Sequence, residues 1–370
     1  MSTATTPHHE HLATESRAMQ GARALVTLAC FIVVVAGLKA AAGVLIPIAL
    51  AFFLSVLSYP LMDWLMRKRV PHLVALLVTM AAIVLIVGLL GWAGYGLMRS
   101  FQGELPVYLA KLKALAQDAT MWLDTRTGTN EAVKAVEQVN LQWLADLATQ
   151  QDVMTSIAAV AGSTFGTVAT FLASLIVVLV LMLFLLMEAT GTHSRAQVVH
   201  QAGGPDLTVL MQSATDIQKY LGVKTLISAL TGLLAFLWCL IFGLKYPVLW
   251  GIMAFLLNYI PAVGSSAASI PAIAEALVTH GPGNALGVTI GYMLINFVLD
   301  TFLQPMLLGR RFGISGLVIV LSVIFWGWLW GPIGMFLAVP LTMMLKVLLE
   351  NTQEFRWVSV AMAKKKVKRG

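Results

Sequence analysis

The sequence predicts an all-α fold: a polytopic membrane helix bundle of about eight transmembrane helices, with broken or re-entrant segments in its C-terminal half and a small helical extramembrane insertion. Three observations carry this expectation. Six runs, 70–98, 153–187, 225–244, 246–274, 276–299 and 312–345, contain no Asp, Glu, Lys or Arg, and crossing the hydrocarbon core takes about 20 mostly apolar residues. The 370-residue chain is 59% hydrophobic and 11% charged, whereas soluble domains are roughly 25% charged. So much apolar surface exceeds what a soluble core of this size can bury, so lipid must cover the rest. Finally, one long internal stretch, 99–156, is polar and holds five basic and seven acidic residues.

Taken in order, residues 1–21 form a polar tail. It contains Glu10 and Glu15 and lacks the basic start of a cleaved signal peptide, so it is expected to stay in the cytoplasm ahead of a retained first span. His8, His9 and His11 in this tail could bind a metal, but a polar tail explains them without one. The region 22–98 supplies transmembrane helices 1–3. The first span runs from about Ala22 to Val44, and Lys39, which lies near its end, can snorkel to the interface. Pro47 and Pro60 kink the second, and Arg67-Lys68-Arg69 marks its cytoplasmic end. Residues 99–156 read as an extracytoplasmic insertion of two amphipathic helices, with Leu105, Leu109, Leu112 and Leu115 at helical spacing and a turn at Thr127-Gly128-Thr129-Asn130.

Transmembrane helix 4 follows at 157–188. Next comes a cytoplasmic amphipathic segment at 189–223, with Leu207, Leu210, Met211, Ala214, Ile217 and Leu221 on one face after the Gly203-Gly204-Pro205 break. The region 224–350 is the C-terminal transmembrane transport region, and 351–370 is a basic cytoplasmic tail. Within the former, Asn258, Pro261, Gly264, Ser265, Ser266 and Pro271 crowd one apolar run. Non-helical backbone at membrane depth is tolerated only where protein buries it or water reaches it, and discontinuous helices often mark transport sites. A proline-kinked structural helix is the alternative. The run 312–345 is too long for one crossing and is cut by Trp326-Gly327-Trp328-Leu329-Trp330-Gly331-Pro332, which predicts a hairpin.

Outside 99–156 the chain carries 19 basic and 10 acidic residues. The excess lies in short clusters beside spans, which marks cytoplasmic loops. Both termini are therefore expected in the cytoplasm. The pattern offers no soluble basic face, so nucleic acid is not an expected partner. Cys30 and Cys239 lie in separate apolar runs and read as packing residues. There is no zinc-protease motif, no phosphate-cradling glycine loop and no cysteine pair, so neither enzyme chemistry nor a cofactor is expected.

One polar stripe stands out. Tyr292, Asn296, Asp300 and Gln304 follow each other at four-residue spacing, which puts them on one helical face. A charge at mid-membrane costs roughly 2.5 kcal/mol or more, so this face must meet protein or water. Either it lines a polar pathway, with Asp300 or Glu275 carrying a proton or binding a cation and Arg310 near the cytoplasmic end, or it is interhelical glue.

Asn258-Tyr259-Ile260-Pro261 with Gly264 and Ile270-Pro271, then Leu294-Ile295-Asn296, Pro305 and Gly309-Arg310, resemble the AI-2E family of membrane transporters. Ile324 to Gly334 with Ala338-Val339-Pro340-Leu341-Thr342, and Leu45-Ile46-Pro47 through Tyr59-Pro60-Leu61, resemble it too. The likeness covers about residues 25–350. It implies a bacterial inner-membrane protein that exports the quorum-sensing signal autoinducer-2, a small uncharged polyol-like solute, and that assembles as a homo-oligomer, with a pentamer expected. Other members are assigned to sodium or lithium/proton antiport, which leaves protons or sodium as coupling ions. Family exporters often flank the proline at Pro305 with an acid before and a base after; here those positions are Gln304 and Met306, and the acid is Asp300.

Overall fold

A computed structural model describes residues 25–127, 166–189, 208–261, 263–308, 315–350 and 362. All regular structure among them is helical. The N-terminal histidines, the second helix of the insertion, the Gly203-Gly204-Pro205 break, Arg310 and the Lys364–Arg369 cluster lie outside the described residues.

Helix α1 is Leu25–Ala40. After it come α2 (Ala42–Arg67), α3 (His72–Thr127), α4 (Gly166–Ala189), α5 (Thr208–Ile241), α6 (Pro247–Leu257), α7 (Gly264–His280) and α8 (Pro282–Asn296). A π-helical segment, Phe297–Leu303, joins α8 to the short α9 (Gln304–Leu308), and α10 (Gly316–Glu350) closes the fold. Among the described residues, five stretches are long and apolar enough to cross a membrane: Ala42–Arg67, His72–Tyr108, Ala214–Ile241, Pro282–Leu307 and Gly316–Glu350. Leu25–Ala40, Ser174–Ala189 and Pro247–Leu257 are apolar but shorter. The outer faces of the long helices carry large apolar side chains, with Trp92 77% and Leu85 70% exposed on α3 and Leu317 70% exposed on α10. A soluble monomer does not display apolar surface on this scale, so the chain is a multi-pass membrane protein.

Two boundaries drawn from composition are not breaks in the backbone. Helix α3 runs 56 residues without interruption, about 84 Å at 1.5 Å per residue, and continues past residue 98, where the uncharged run ends. The polar residues after Arg99 are good helix formers, and the helix carries on through Pro106 despite the backbone donor that proline removes. Helix α5 likewise joins the amphipathic segment and the following span into 34 continuous residues.

The packing divides into separate cores. Met62, Leu76, Met182 and Leu186 anchor one between α2, α3 and α4. Trp250, Leu249, Val288 and Tyr292 anchor another between α5, α6, α7 and α8, with Phe101 of α3 packed against it. The α5–α6 crossing is the closest approach in the second core. A Cβ added at Gly232 would lie 2.7 Å from the Gly251 carbonyl oxygen, and one at Gly251 would lie 2.8 Å from Phe236 Cβ. Gly251→Leu is therefore expected to cost about 1–3 kcal/mol or more through overpacking. Thermal unfolding of the detergent-purified protein checks this, and an unchanged melting temperature would mean that the crossing is loose.

Two helical hairpins define the C-terminal half. Helix α6 has 11 residues and α7 has 17, about 16 and 25 Å, so neither spans the roughly 30 Å core. They start and finish on the same side. A Cβ at Gly243, before α6, would sit 3.6 Å from His280 Nε2 at the end of α7. Glu275 of α7 accepts a hydrogen bond from Trp250 Nε1 of α6 at 2.6 Å. The α6–α7 pair is thus a helical hairpin whose tip carries Asn258, Tyr259, Ile260 and Pro261. The expected break is confined to this tip, because Pro271 lies inside α7 without interrupting it.

The second hairpin is α10. Gly331 adopts φ 66°, ψ −148°, a region essentially closed to side chains, and Pro332 follows. Trp326 Nε1 then donates to Thr342 Oγ1 at 3.1 Å, although sixteen residues along a straight helix would separate them by about 24 Å. The chain has reversed, as the tryptophan-rich break predicts.

The hairpins enter from opposite ends of α5. The base of the first lies at the α5 C-terminus, where Trp238 Nε1 of α5 donates to the Gly287 carbonyl of α8. The returning arm of the second packs Leu337, Val339 and Met343 against Ile217 and Leu221 near the α5 N-terminus. Their tips meet: the rings of Tyr259 and Phe336 are 4.5 Å apart, and Ile260 packs on the Trp326 cluster. A long helix followed by a hairpin therefore occurs twice, in opposite senses.

Candidate functional site

The tip of the first hairpin faces a cleft of about 360 Å³. Three parts of the fold line it. The hairpin tip gives Asn258, Ile260, Pro261, Ser265 and Ser266; the α8–π–α9 helix gives Asn296, Phe297, Asp300, Thr301 and Gln304; and α5 gives Lys224.

Each part is held by identifiable contacts. Asn258 is 2% exposed, and its Nδ2 donates to Ser228 Oγ at 3.1 Å and Thr231 Oγ1 at 3.4 Å. The Tyr259 hydroxyl donates to Thr225 Oγ1 at 2.8 Å. Together these bonds fasten the tip to the middle of α5. Gly264 closes the turn, because a Cβ there would fall 1.7 Å from the Leu257 carbonyl oxygen. Helix α7 then begins at the cleft, and its N-terminal dipole presents a partial positive charge to it.

On the opposite wall the π segment matters. In an α-helix a four-residue step overshoots a full turn by roughly 40°, so a four-membered stripe spirals off its face. The wider turn at Phe297–Leu303 counters this drift. Asn296, Asp300 and Gln304 consequently share the cleft, while Tyr292 does not. Its hydroxyl lies 3.6 Å from Cys239 Sγ inside the packed core.

The polar atoms of the cleft are incompletely paired. Ser265 Oγ reaches Asp300 Oδ2 at a long 3.5 Å. Lys224 is 4% exposed, and its Nζ donates to Gln304 Oε1 at 3.2 Å. Asn296 Oδ1 and Asp300 Oδ1 are buried with no hydrogen-bond partner. Buried polar atoms are nearly always paired, and leaving one bare costs about 1–3 kcal/mol. Two bare acceptors in one cleft mark a place where water or a solute donates.

Glu275 belongs elsewhere. It sits ten residues beyond Ser265, about 15 Å along α7, and is 1% exposed. Its carboxylate accepts from Trp250 Nε1 and, at 2.5 Å, from the Lys245 backbone N–H. Next to it the Lys245 side chain pairs with Glu104 of α3, and the Tyr246 hydroxyl donates to the Ser100 carbonyl at 3.4 Å. The hydrogen bond to Glu104 holds the Lys245 ammonium above the usual lysine range. This group closes the base of the hairpin onto α3 and has no part in the cleft.

Of the residues singled out in the sequence, the structure gathers Asn258, Pro261, Ser265, Ser266, Asn296, Asp300 and Gln304 around one cleft, with Gly264 supporting the turn beside it. Sequence reasoning missed Lys224, which the uncharged run beginning at 225 makes look like the charged end of a span. In the structure Lys224 is the seventeenth of the 34 residues of α5, in the interior of the helix. Among the described residues no group of three or more His, Cys, Asp or Glu is arranged to hold a metal ion.

The sequence matches the AI-2E family transporter model over residues 28–354. It is 32% identical over 346 residues to the AI-2 transport protein TqsA of Escherichia coli K12, covering 93% of this chain and 96% of that protein. A provisionally assigned transport protein of Haemophilus influenzae is 32% identical over 343 residues, covering 89% and 93% of the two chains. The provisionally assigned transport protein YhhT of Escherichia coli K12 is 27% identical over 344 residues, covering 90% and 92%.

Proposed function

The chain belongs to the AI-2E family of transporters, and on that premise we propose that it is a secondary transporter exporting a small, uncharged, polyhydroxylated solute, with autoinducer-2 as the leading cargo. One observation carries the proposal: Asn296 Oδ1 and Asp300 Oδ1 stand bare beside a broken helix tip at membrane depth. Hydroxyl groups of a polyol donate to both, while the Lys224 ammonium and the α7 N-terminus offer positive charge to its oxygens. The relative named as an AI-2 transport protein supports the choice of cargo.

In this reading α1 to α5 and the α8–π–α9 helix are six crossings, and the α6–α7 and α10 hairpins enter without crossing, which makes eight membrane segments. Both termini lie in the cytoplasm, the protein resides in the bacterial inner membrane, and subunits assemble as a homo-oligomer, with a pentamer as the first expectation. The α2–α4 core and the α5–α8 core, joined where Phe53 of α2 packs against Ile217 and Leu337, suggest a division of labour. The α2–α4 unit acts as scaffold, and the α5–α10 unit with its meeting hairpin tips exposes the cleft alternately to the two sides.

Proteoliposomes loaded with autoinducer-2 are expected to lose it faster with the protein than without it. Equal rates would remove this cargo. The competing function, sodium or lithium/proton exchange, has a single support in the cleft, the carboxylate of Asp300. It predicts a cation-driven pH change in the same vesicles.

A further inference from the structure

The transport reading leaves open why a lysine is buried in the cleft. We infer that Lys224 is a specificity-determining residue: its ammonium is a tethered counter-charge to Asp300, so that the cleft refuses free monovalent metal cations and admits an uncharged, hydroxyl-bearing solute. The inference rests on the cleft being the transport site.

Lys224 and Asp300 line the same cleft without a direct ion pair. The ammonium has three donors, one of which goes to Gln304 Oε1 at 3.2 Å. Gln304 follows Asp300 by one helical turn, so the bond draws the positive charge toward the carboxylate. An isolated charge at membrane depth is costly. One ammonium and one carboxylate in a shared cleft offset each other, and the empty site carries no net charge.

A sodium or lithium ion bound at Asp300 would leave an uncompensated positive charge, with Lys224 repelling it. A neutral solute meets no such penalty. It donates hydroxyl protons to Asn296 Oδ1 and Asp300 Oδ1, the two bare acceptors, and accepts from Lys224. Lys224 thus makes a carboxylate that would suit a cation into an acceptor for hydroxyl groups. Removing the ammonium should restore the cation preference of the carboxylate.

The test uses the full-length purified protein and measures melting temperature in sodium or lithium chloride against choline chloride at equal ionic strength. The wild type is expected to show no sodium- or lithium-specific shift, and Lys224→Arg, which keeps the charge, should match it. Lys224→Gln is expected to gain a saturable sodium-specific stabilisation, with apparent affinity at least about tenfold tighter than any wild-type response. The double variant Lys224→Gln/Asp300→Asn should lose it. A sodium response in the wild type that Asp300→Asn abolishes would overturn the inference, and so would a folded Lys224→Gln protein with no response. If Lys224→Gln does not fold, the comparison of wild type with Asp300→Asn still decides: a cation response at Asp300 overturns the proposal, and none upholds it. None of these readouts involves the transported solute, so a failed autoinducer-2 assay and a failed cation assay are separate results.

Discussion

Asp300→Asn is expected to reduce solute efflux by about 10- to 100-fold, since a hydrogen bond to a charged acceptor contributes about 1.5–3 kcal/mol. It should also lower thermal stability, because the buried Lys224 ammonium then has no carboxylate in its cleft. Lys224→Met should destabilise for the mirror-image reason, leaving Asp300 uncompensated. The double variant Asp300→Asn/Lys224→Met removes both charges together and is expected to regain much of the stability without regaining efflux. The coupling energy should be about 1–3 kcal/mol, measured by thermal unfolding in sodium-free buffer so that no cation substitutes for the missing ammonium. Strictly additive losses would show that the two charges do not sense each other across the cleft.

The opposite pattern is expected at Glu275. Glu275→Ala strips the acceptor from Trp250 Nε1 and from the Lys245 backbone N–H. Two buried donors left bare cost about 1–3 kcal/mol each, so the variant should unfold at markedly lower temperature and give less folded protein. Glu275→Gln keeps one acceptor oxygen and should fall between the two. The folded fraction of either variant should transport with the wild-type rate per molecule, because the residue closes the hairpin base and is remote from the cleft. A folded Glu275→Gln protein with efflux reduced tenfold or more would instead return Glu275 to the transport pathway. The two acids thus separate by readout: Asp300 by efflux, Glu275 by stability.

The different surroundings of these two acids show where sequence reasoning reached its limit. Both residues are carboxylates in the same apolar region, and a one-dimensional pattern gives them equal standing as coupling groups. What distinguishes them is which donors lie within hydrogen-bond distance, and those donors come from residues 25 and 30 positions away. The polar stripe shows the same limit on a smaller scale. Four-residue spacing groups Tyr292, Asn296, Asp300 and Gln304, but the step from Tyr292 to Asn296 lies in ordinary α-helix and drifts off the face, whereas the wider winding at Phe297–Leu303 keeps the last three together.

The sequence by itself determined that the chain lives in a bilayer, that its C-terminal half is interrupted at Asn258–Gly264 and at Gly331-Pro332, and that amide and carboxylate groups gather near those interruptions. Hydropathy, helical period and the conformational limits of glycine and proline are local properties, and they can be read from neighbours along the chain. Only the tertiary structure decided that the interruptions are tips of hairpins that meet, that Glu275 clasps a hairpin base, and that Lys224 lies buried opposite Asp300. Those outcomes depend on which side chains face each other after the chain has turned back on itself, and no period or composition encodes that.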